Sequence, residues 1–370
     1  MRRWLLPEHI QDVLPAEARA IERLRRAILD LFERHGYELV APPLLEYVES
    51  LLSGTGRDLD LATFKLVDRL SGRMMGVRAD HTPQVARIDA HLLNRQGVAR
   101  LCYCGSVLHT LPAGMTKTRE PLQIGAELYG HAGIEADVEI VRLMVDSLKA
   151  AGIARLHVDL GHPAIYRALV AGRAMDAEQS EALFHAVQQK NAAEAKELAV
   201  LTGLHGGVET IARARRELPA NPAIGAALDA LQRLSDSCGA EGVEISIDLA
   251  ELGGFNYESG LVFAAFAAGS PDAIARGGRY DEVGASFGRA RAATGFTMDL
   301  RQLAALAPGN ARPGAILAPC LDDPGLQEAI AALREQGEIV VVDLPGHAAA
   351  RDELGCNRRM EKKDGKWRAM

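Results

Sequence analysis

Apolar residues recur at helical spacing over residues 15–36, where Ile21, Leu24, Ile28, Leu31 and Phe32 share one face. Pro15 suits a first turn and Gly36 a stop, so the pattern predicts an amphipathic helix there. Residues 37–40 read as a strand, broken by Pro42 and Pro43. Residues 64–68 and 74–78 read as a hairpin across Ser71 and Gly72. Thr82 reads as the cap of a helix with Pro83 in its first position, running to about Asn94. A strand, a loop and a second strand are predicted over 100–130, then a helix over 134–151 stopped by Gly152, and a strand over 156–160. Over 163–236 the strand signal vanishes, which predicts an inserted helical segment with breaks near Gly172, Gly203–Gly207 and Pro219–Pro222. Strands return over 243–248 and 261–266, followed by a helix over 297–306. After Pro308 and Gly309 come a strand (315–318), a helix (324–336), a strand (338–343) and a hairpin turning at Asp364 and Gly365. Strands on either side of a helical insertion, joined by hairpins, predict an α+β fold with a mostly antiparallel sheet. The division expected is a core over 1–308, carrying the 163–236 insertion, and a small α/β tail over 309–370.

The second strand of the 100–130 stretch carries the most specific pattern. Side chains alternate along a strand, so Leu122, Ile124, Ala126 and Leu128 share an apolar face and Gln123, Gly125, Glu127 and Tyr129 share the other. That second face is either simply solvated, as in many antiparallel sheets, or the floor of a small polar-ligand site. In the second reading Gly125 leaves room, and Gln123 and Glu127 supply hydrogen bonds.

Composition narrows the classes. The chain has 370 residues, 48% hydrophobic and 25% charged, with a net charge of −7, which gives no basic footprint for nucleic acid. Cys102, Cys104, Cys238, Cys320 and Cys356 are odd in number and scattered, so neither a disulfide framework nor a zinc site is expected, and Cys102 and Cys104 are expected to pack. Pro7 and Glu8 interrupt the first apolar residues too early for a signal peptide, and no apolar run approaches a membrane span; a cytoplasmic protein is expected. The glycine pair at 277–278 lacks the GK[ST] of a phosphate-binding loop, the histidines have no metal-ligand spacing, and His109 is expected to be solvated in a loop. No cofactor or metal is expected.

The order of the pieces resembles the class II aminoacyl-tRNA synthetase core, and most closely histidyl-tRNA synthetase. GYELVAPPLLEY resembles motif 1, the dimer-forming unit. CYCGSVLHTLPAGMTKTREPLQIGAELYG resembles motif 2, and VRADHTP resembles the segment that grips the ligand's amino group. LGGFNYESGLVF resembles the histidine-specific signature, and GGRYDEVG with TGFTMDLRQL resembles the run into motif 3. The resemblance covers about residues 5–306. It implies a polar amino-acid pocket built from Asp80, Thr82, Gln123, Glu127, Tyr257 and Tyr280, with Glu127 accepting an imidazole N–H. Asp80 stands for a glutamate, and Glu258 for a second tyrosine.

The departures from the family fall on its cations. Three arginine positions of the synthetase hold His109, Gly253 and Gln302, and Leu111 stands where motif 2 carries a glutamate. Losing one donor that stabilises transition-state charge typically slows a reaction by about 10²–10³, so adenylation by this chain is not expected. The tail is shorter than an anticodon-binding domain. A synthetase core without these arginines resembles the regulatory subunits of ATP phosphoribosyltransferase, the first enzyme of histidine biosynthesis. That resemblance implies a non-catalytic chain that dimerises through the class II interface. It would activate a short-form catalytic subunit, in a hetero-octamer of four plus four, and transmit histidine feedback. It implies possible partners in free histidine but not in membranes or tRNA. The alternatives are a histidine- or tRNA-sensing paralogue acting on another partner, and an active histidyl-tRNA synthetase.

Overall fold

The computed structural model describes residues 4–53, 57–112, 117–253, 259–307 and 314–370. The chain divides into two compact units, Met1–Pro308 and Gly309–Met370. In the larger unit the helix Pro15–Arg34 leads into β1 (Glu38–Leu39). The strands β2 (Leu45–Tyr47), β3 (Phe64–Val67) and β4 (Met74–Val77) form a small antiparallel sheet in the order β2-β4-β3. The rest of this unit's strands are β5 (Ala99–Ser106), β6 (Leu122–Tyr129), β7 (Leu156–Gly161), β8 (His205–Gly206), β9 (Val243–Asp248), β10 (Val262–Phe266), β11 (Ala275–Arg279) and β12 (Ala293–Asp299). With β1 they make one sheet in the order β1-β5-β6-β12-β11-β10-β7-β9-β8. Only β1/β5 and β7/β9 pair parallel, so the sheet is mostly antiparallel, as the alternating strand pattern predicts.

One face of this sheet is closed by helices. Ile21, Leu24, Ile28 and Phe32 of Pro15–Arg34 pack with Ile124, Ala126 and Leu128 of β6 and with Ile140, Met144 and Leu148 of the helix Ile134–Ala150. Ile28 and Phe32 are fully buried, and each such side chain contributes about 1.5–3 kcal/mol. The helices between Pro163 and Cys238 join the same core through Leu198, Leu201, Leu228 and Leu231. All cysteines are free; Cys102 is buried in the core and Cys104 packs against it.

Three local expectations are corrected. The helix expected to run from Thr82 to Asn94 is α-helical only over Thr82–Arg87 and then widens into a π-helical turn, Ile88–Leu93. Asn94 ends that turn in the left-handed region at φ +45°, its N–H donating five residues back to Asp89 at 2.9 Å. The helix expected over 297–306 begins only at Leu300, because residues 293–299 extend β12 beside β6. The Asp299 carboxylate then caps it, accepting from the N–H of Arg301 at 3.0 Å and of Leu122 at 3.1 Å. Finally, β11 occupies a glycine-rich stretch that carries no strand signal of its own.

In the smaller unit, β13 (Ala315–Pro319), β14 (Val340–Asp343), β15 (Cys356–Lys363) and β16 (Lys366–Ala369) form a sheet in the order β14-β13-β15-β16. The helix Pro324–Glu335 packs on it through Leu326 and Ile330. The β15–β16 turn places Asp364 at φ +52° and Gly365 at φ +77°, the paired left-handed conformation that a two-residue hairpin needs.

Candidate functional site

The polar face of β6 is roofed rather than solvated. The segment 78–87 crosses it and delivers Thr82 onto Glu127. The expected capping role of Thr82 is not adopted: its hydroxyl donates to Glu127 Oε1 at 3.1 Å, and no side chain caps this helix. A buried carboxylate without donors is the costlier defect, because a free helix N–H can be solvated or shared. Glu127 is 1% exposed and also accepts from the hydroxyls of Tyr103, at 3.3 Å, and Tyr280. Burial pushes its carboxyl up to about 8, with the charge of Asp80 adding to the effect; the three hydroxyls pull the other way and lose. Tyr103, Tyr129 and Tyr280 are held well above the ordinary tyrosine value, chiefly by burial, and so remain donors.

Two expected features of this floor are rearranged. The gap at Gly125 is already filled: a Cβ there would lie 2.4 Å from the Tyr103 hydroxyl and 2.3 Å from the Phe296 carbonyl. Gln123 stands one layer behind the cavity. Its Oε1 accepts from the backbone N–H of His81 at 3.1 Å and from His81 Nδ1 at 2.6 Å, while its Nε2 donates to Asp80 Oδ1 at 2.8 Å. The His81 ring stacks on Tyr103 with centroids 4.6 Å apart, and burial, aided by the charge of Arg78, pushes it down to about 4. A neutral His81 can donate from Nδ1 to Gln123, which fixes the amide and through it Asp80.

The open space lies over the neighbouring strands. Gly295 pairs with Glu127 and Gly278 with Gly295, so two positions on this face carry no side chain. A Cβ at Gly295 would sit 1.6 Å from Glu127 Oε2, and glycine there is what lets the carboxylate lie across β12. The result is a cavity of about 340 Å³, within the usual range of small-molecule sites of about 300–1,000 Å³. Asp80, Thr82, Glu127 and Tyr280 line it. Tyr257 and Glu258 lie outside the described residues.

Other lining residues were not found from the sequence. Arg276 on β11, Glu251 after β9 and Gln188 at the end of the helix Ala177–Gln188 all reach the cavity. Alternation through ARGGRY would have put Arg276 and Gly278 on one face, had the stretch been read as a strand. Nothing in sequence connects Gln188 to the sheet.

The three positions at which the resemblance expects synthetase arginines make other contacts. His109 is half-buried rather than solvated; its Nε2 meets the Ala79 carbonyl at 2.9 Å, which makes Nε2 the protonated nitrogen. Leu111 is 76% exposed. Gly253 lines the cavity at φ +47°, its N–H donating to Glu251 Oε1 at 3.0 Å. Gln302 faces a separate groove, where its Nε2 donates to Ser270 Oγ at 3.0 Å. The cations of that groove are held by carboxylates, Arg301 by Glu120 at 3.2 Å and Lys117 by Asp272 at 3.7 Å. Among the described residues no cluster of histidine, cysteine and acidic side chains could hold a metal, and no helix is long and apolar enough to cross a membrane.

The profile of the family described as histidyl-tRNA synthetase matches residues 9–303. That described as the ATP phosphoribosyltransferase subunit HisZ C-terminal domain matches residues 313–370. Similar curated proteins include the ATP phosphoribosyltransferase regulatory subunits of Cupriavidus taiwanensis, 57% identical over 98% of this chain and 98% of its own. That of Burkholderia cenocepacia is 54% identical over 99% of both. A solved structure from Bacillus halodurans, described as an ATP phosphoribosyltransferase regulatory subunit/histidyl-tRNA synthetase, superposes with a TM-score of 0.82 at 26% identity, over 97% of this chain and 98% of that one. The histidyl-tRNA synthetase of a Nostoc species shares the fold, with a TM-score of 0.76 at 16% identity over 97% and 91% of the two chains. Identity of this extent over nearly the full length decides the assignment: this chain belongs to the family of ATP phosphoribosyltransferase regulatory subunits, on a histidyl-tRNA synthetase-like class II fold.

Proposed function

We propose that this chain is a non-catalytic regulatory subunit that activates a short-form catalytic ATP phosphoribosyltransferase and brings histidine feedback to it, in the first step of histidine biosynthesis. The observation that carries the reading is a contrast between two sets of positions. The polar floor keeps a buried Glu127 held by three hydroxyls beside an open cavity. The positions that would handle phosphate hold His109, Gly253 and Gln302, and each is engaged in local hydrogen bonding. Asp80, Thr82, Glu127 and Tyr280 form the histidine pocket in this reading, and Gln123 positions Asp80. The assembly is a hetero-octamer of four regulatory and four catalytic chains in the cytoplasm, with no role for tRNA. Its regulatory chains pair through the edge strand β1, whose exposed Leu39, followed by Leu44 and Leu45, supports an apolar contact there.

The test is one preparation measured three ways. Purified chain gives no histidine-dependent ATP–pyrophosphate exchange. Mixed with the short catalytic subunit it forms a larger complex and raises phosphoribosyl transfer to ATP. Histidine inhibits that complex, and Glu127→Ala raises the histidine concentration required. Exchange turnover by the chain alone, or a mixture that neither associates nor changes activity, overturns the reading.

A further inference from the structure

The described residues lining the cavity include three acids, Asp80, Glu127 and Glu251, and one cation, Arg276. Arg276 lies between Thr297 of β12 and Ala264 of β10, on the sheet face that carries Glu127. Its guanidinium makes no ion pair or hydrogen bond among the described residues, and the residue is exposed at the cavity. Nearby arginines differ. Arg279 is tied to Asp137 at 2.7 Å and Arg291 to Asp89 at 2.8 Å, and both are buried structural pairs. An unpaired arginine beside three acids it does not neutralise is a group kept available for something else.

The register fixes the separation. From Glu127 to Arg276 is two strands across and two residues along, about 12 Å between Cα atoms at strand spacings of about 4.8 Å and a rise of about 3.3 Å. A short carboxylate at one end and a long guanidinium at the other leave a gap that one small molecule spans. Between them the floor is Gly295, Gly278 and Thr297, with Ala264 beyond, so no side chain larger than threonine's lies on the path. Gly253 cannot close the gap from the other wall, having no side chain.

We infer that Arg276 is the carboxylate anchor of this site: the ligand is a zwitterionic α-amino acid whose N–H groups meet Glu127, Asp80 and Thr82 while its carboxylate pairs with the Arg276 guanidinium. This rests on the amino-acid reading of the cavity and adds the residue that selects an acid over an amine. The planar fork of arginine matches a carboxylate with two parallel hydrogen bonds, which lysine's point charge does not reproduce. The pairing also supplies the cation without which a carboxylate would enter beside three acids.

Calorimetry on the full-length chain with histidine and with histamine tests it, since histamine keeps the ring and the amine and lacks the carboxylate. Wild type prefers histidine by roughly 10- to 150-fold, the range of a hydrogen bond to a charged group. Arg276→Gln lowers histidine affinity by that factor and leaves histamine affinity unchanged, and Arg276→Lys falls between. Arg276→Gln with unchanged histidine affinity overturns the inference. So does an equal loss for both ligands, because that is a structural effect, and so does a wild type that binds both equally. A wild type that binds neither ligand overturns the amino-acid reading itself. Exposure of Arg276 keeps the variants folded, which circular dichroism checks.

Discussion

Replacing Glu127 by glutamine changes how stability depends on pH, and the size follows from the burial of the carboxyl. Its ordinary value is 4.5 and burial raises it to about 8. Between those values the unfolded chain releases this proton and the folded chain keeps it. The folded state binds more protons there, so its stability falls as pH rises, by about 1.4 kcal/mol per pH unit. The contribution is fully present below pH 4.5, declines to about pH 8 and is level above. Across the whole window the change is on the order of 5 kcal/mol. Glutamine does not titrate, and its amide meets the same three hydroxyls, which rotate to donate or accept. Its own cost is therefore a constant offset. His81 and His162, both pushed down to about 4 mainly by burial, impose the opposite slope as pH falls, but they do so in both proteins and cancel in the difference. The assay is urea unfolding of wild type and Glu127→Gln at half-unit steps from pH 5 to 8.5. The stability of wild type relative to the variant is expected to drop by several kcal/mol across that range. A difference that stays level refutes the claim that burial keeps this carboxyl protonated in the folded state.

Three further outcomes follow from the same geometry. Histidine affinity is greatest between about pH 6.5, where free imidazole titrates, and about pH 8, where Glu127 does, because ring and carboxyl share one proton; calorimetry across pH 5–9.5 should show about a tenfold loss per pH unit on either side, and a flat profile contradicts this. Gly295→Ala puts a methyl 1.6 Å from Glu127 Oε2 and 2.8 Å from the Ala126 carbonyl, so histidine affinity should fall at least about tenfold with about 1–3 kcal/mol lost in unfolding; unchanged binding contradicts it. Gln188→Ala removes the cavity contact that the helix Ala177–Gln188 makes among the described residues; a few-fold weakening of histidine inhibition in the complex is expected, and unaltered inhibition shows that Gln188 takes no part.

What could be read in the sequence was what depends on near neighbours in the chain. The helix Pro15–Arg34 follows from apolar spacing, and β6 from alternation, because in each the buried face is set by residues a few positions apart. The β15–β16 turn follows from Asp364 and Gly365, which accept positive φ. The failures come from contacts made at long range. Strands β11 and β12 look unlike strands because glycine is required in them: Gly277 lies under the Phe263 ring, where a Cβ would be 2.5 Å from it, and Gly295 yields to Glu127. Thr82 has the local chemistry of a cap, yet a carboxylate 45 residues away claims its hydroxyl. Gln123 lies on the polar face of β6, as alternation predicts, but His81 and Asp80 occupy both ends of its amide.

The same distinction explains how a binding site can outlive the chemistry built on it. Adenylation needs cations placed where charge develops on phosphate, and each absent donor typically slows the reaction by about 10²–10³. Binding an amino acid needs only ground-state contacts. The substitutions divide along that line. His109 and Gln302, which stand where the resemblance expects arginines, make hydrogen bonds to Ala79 and Ser270 and so are tied into the fold. The side chains of Asp80, Thr82, Glu127 and Tyr280 instead line open space. A ligand shifts a regulatory equilibrium only by its difference in affinity for the two states, not by tight binding in itself. In the proposed role, a neutral Glu127 is the less costly resting form of the empty site, and a ligand ring nitrogen that can share its proton removes the reason for that neutrality. Occupancy then changes the charge distribution at the centre of the sheet, against walls contributed by the segment at Asp80, by Glu251 and by the helical insertion through Gln188. In that role the site would report occupancy to three separate parts of the fold.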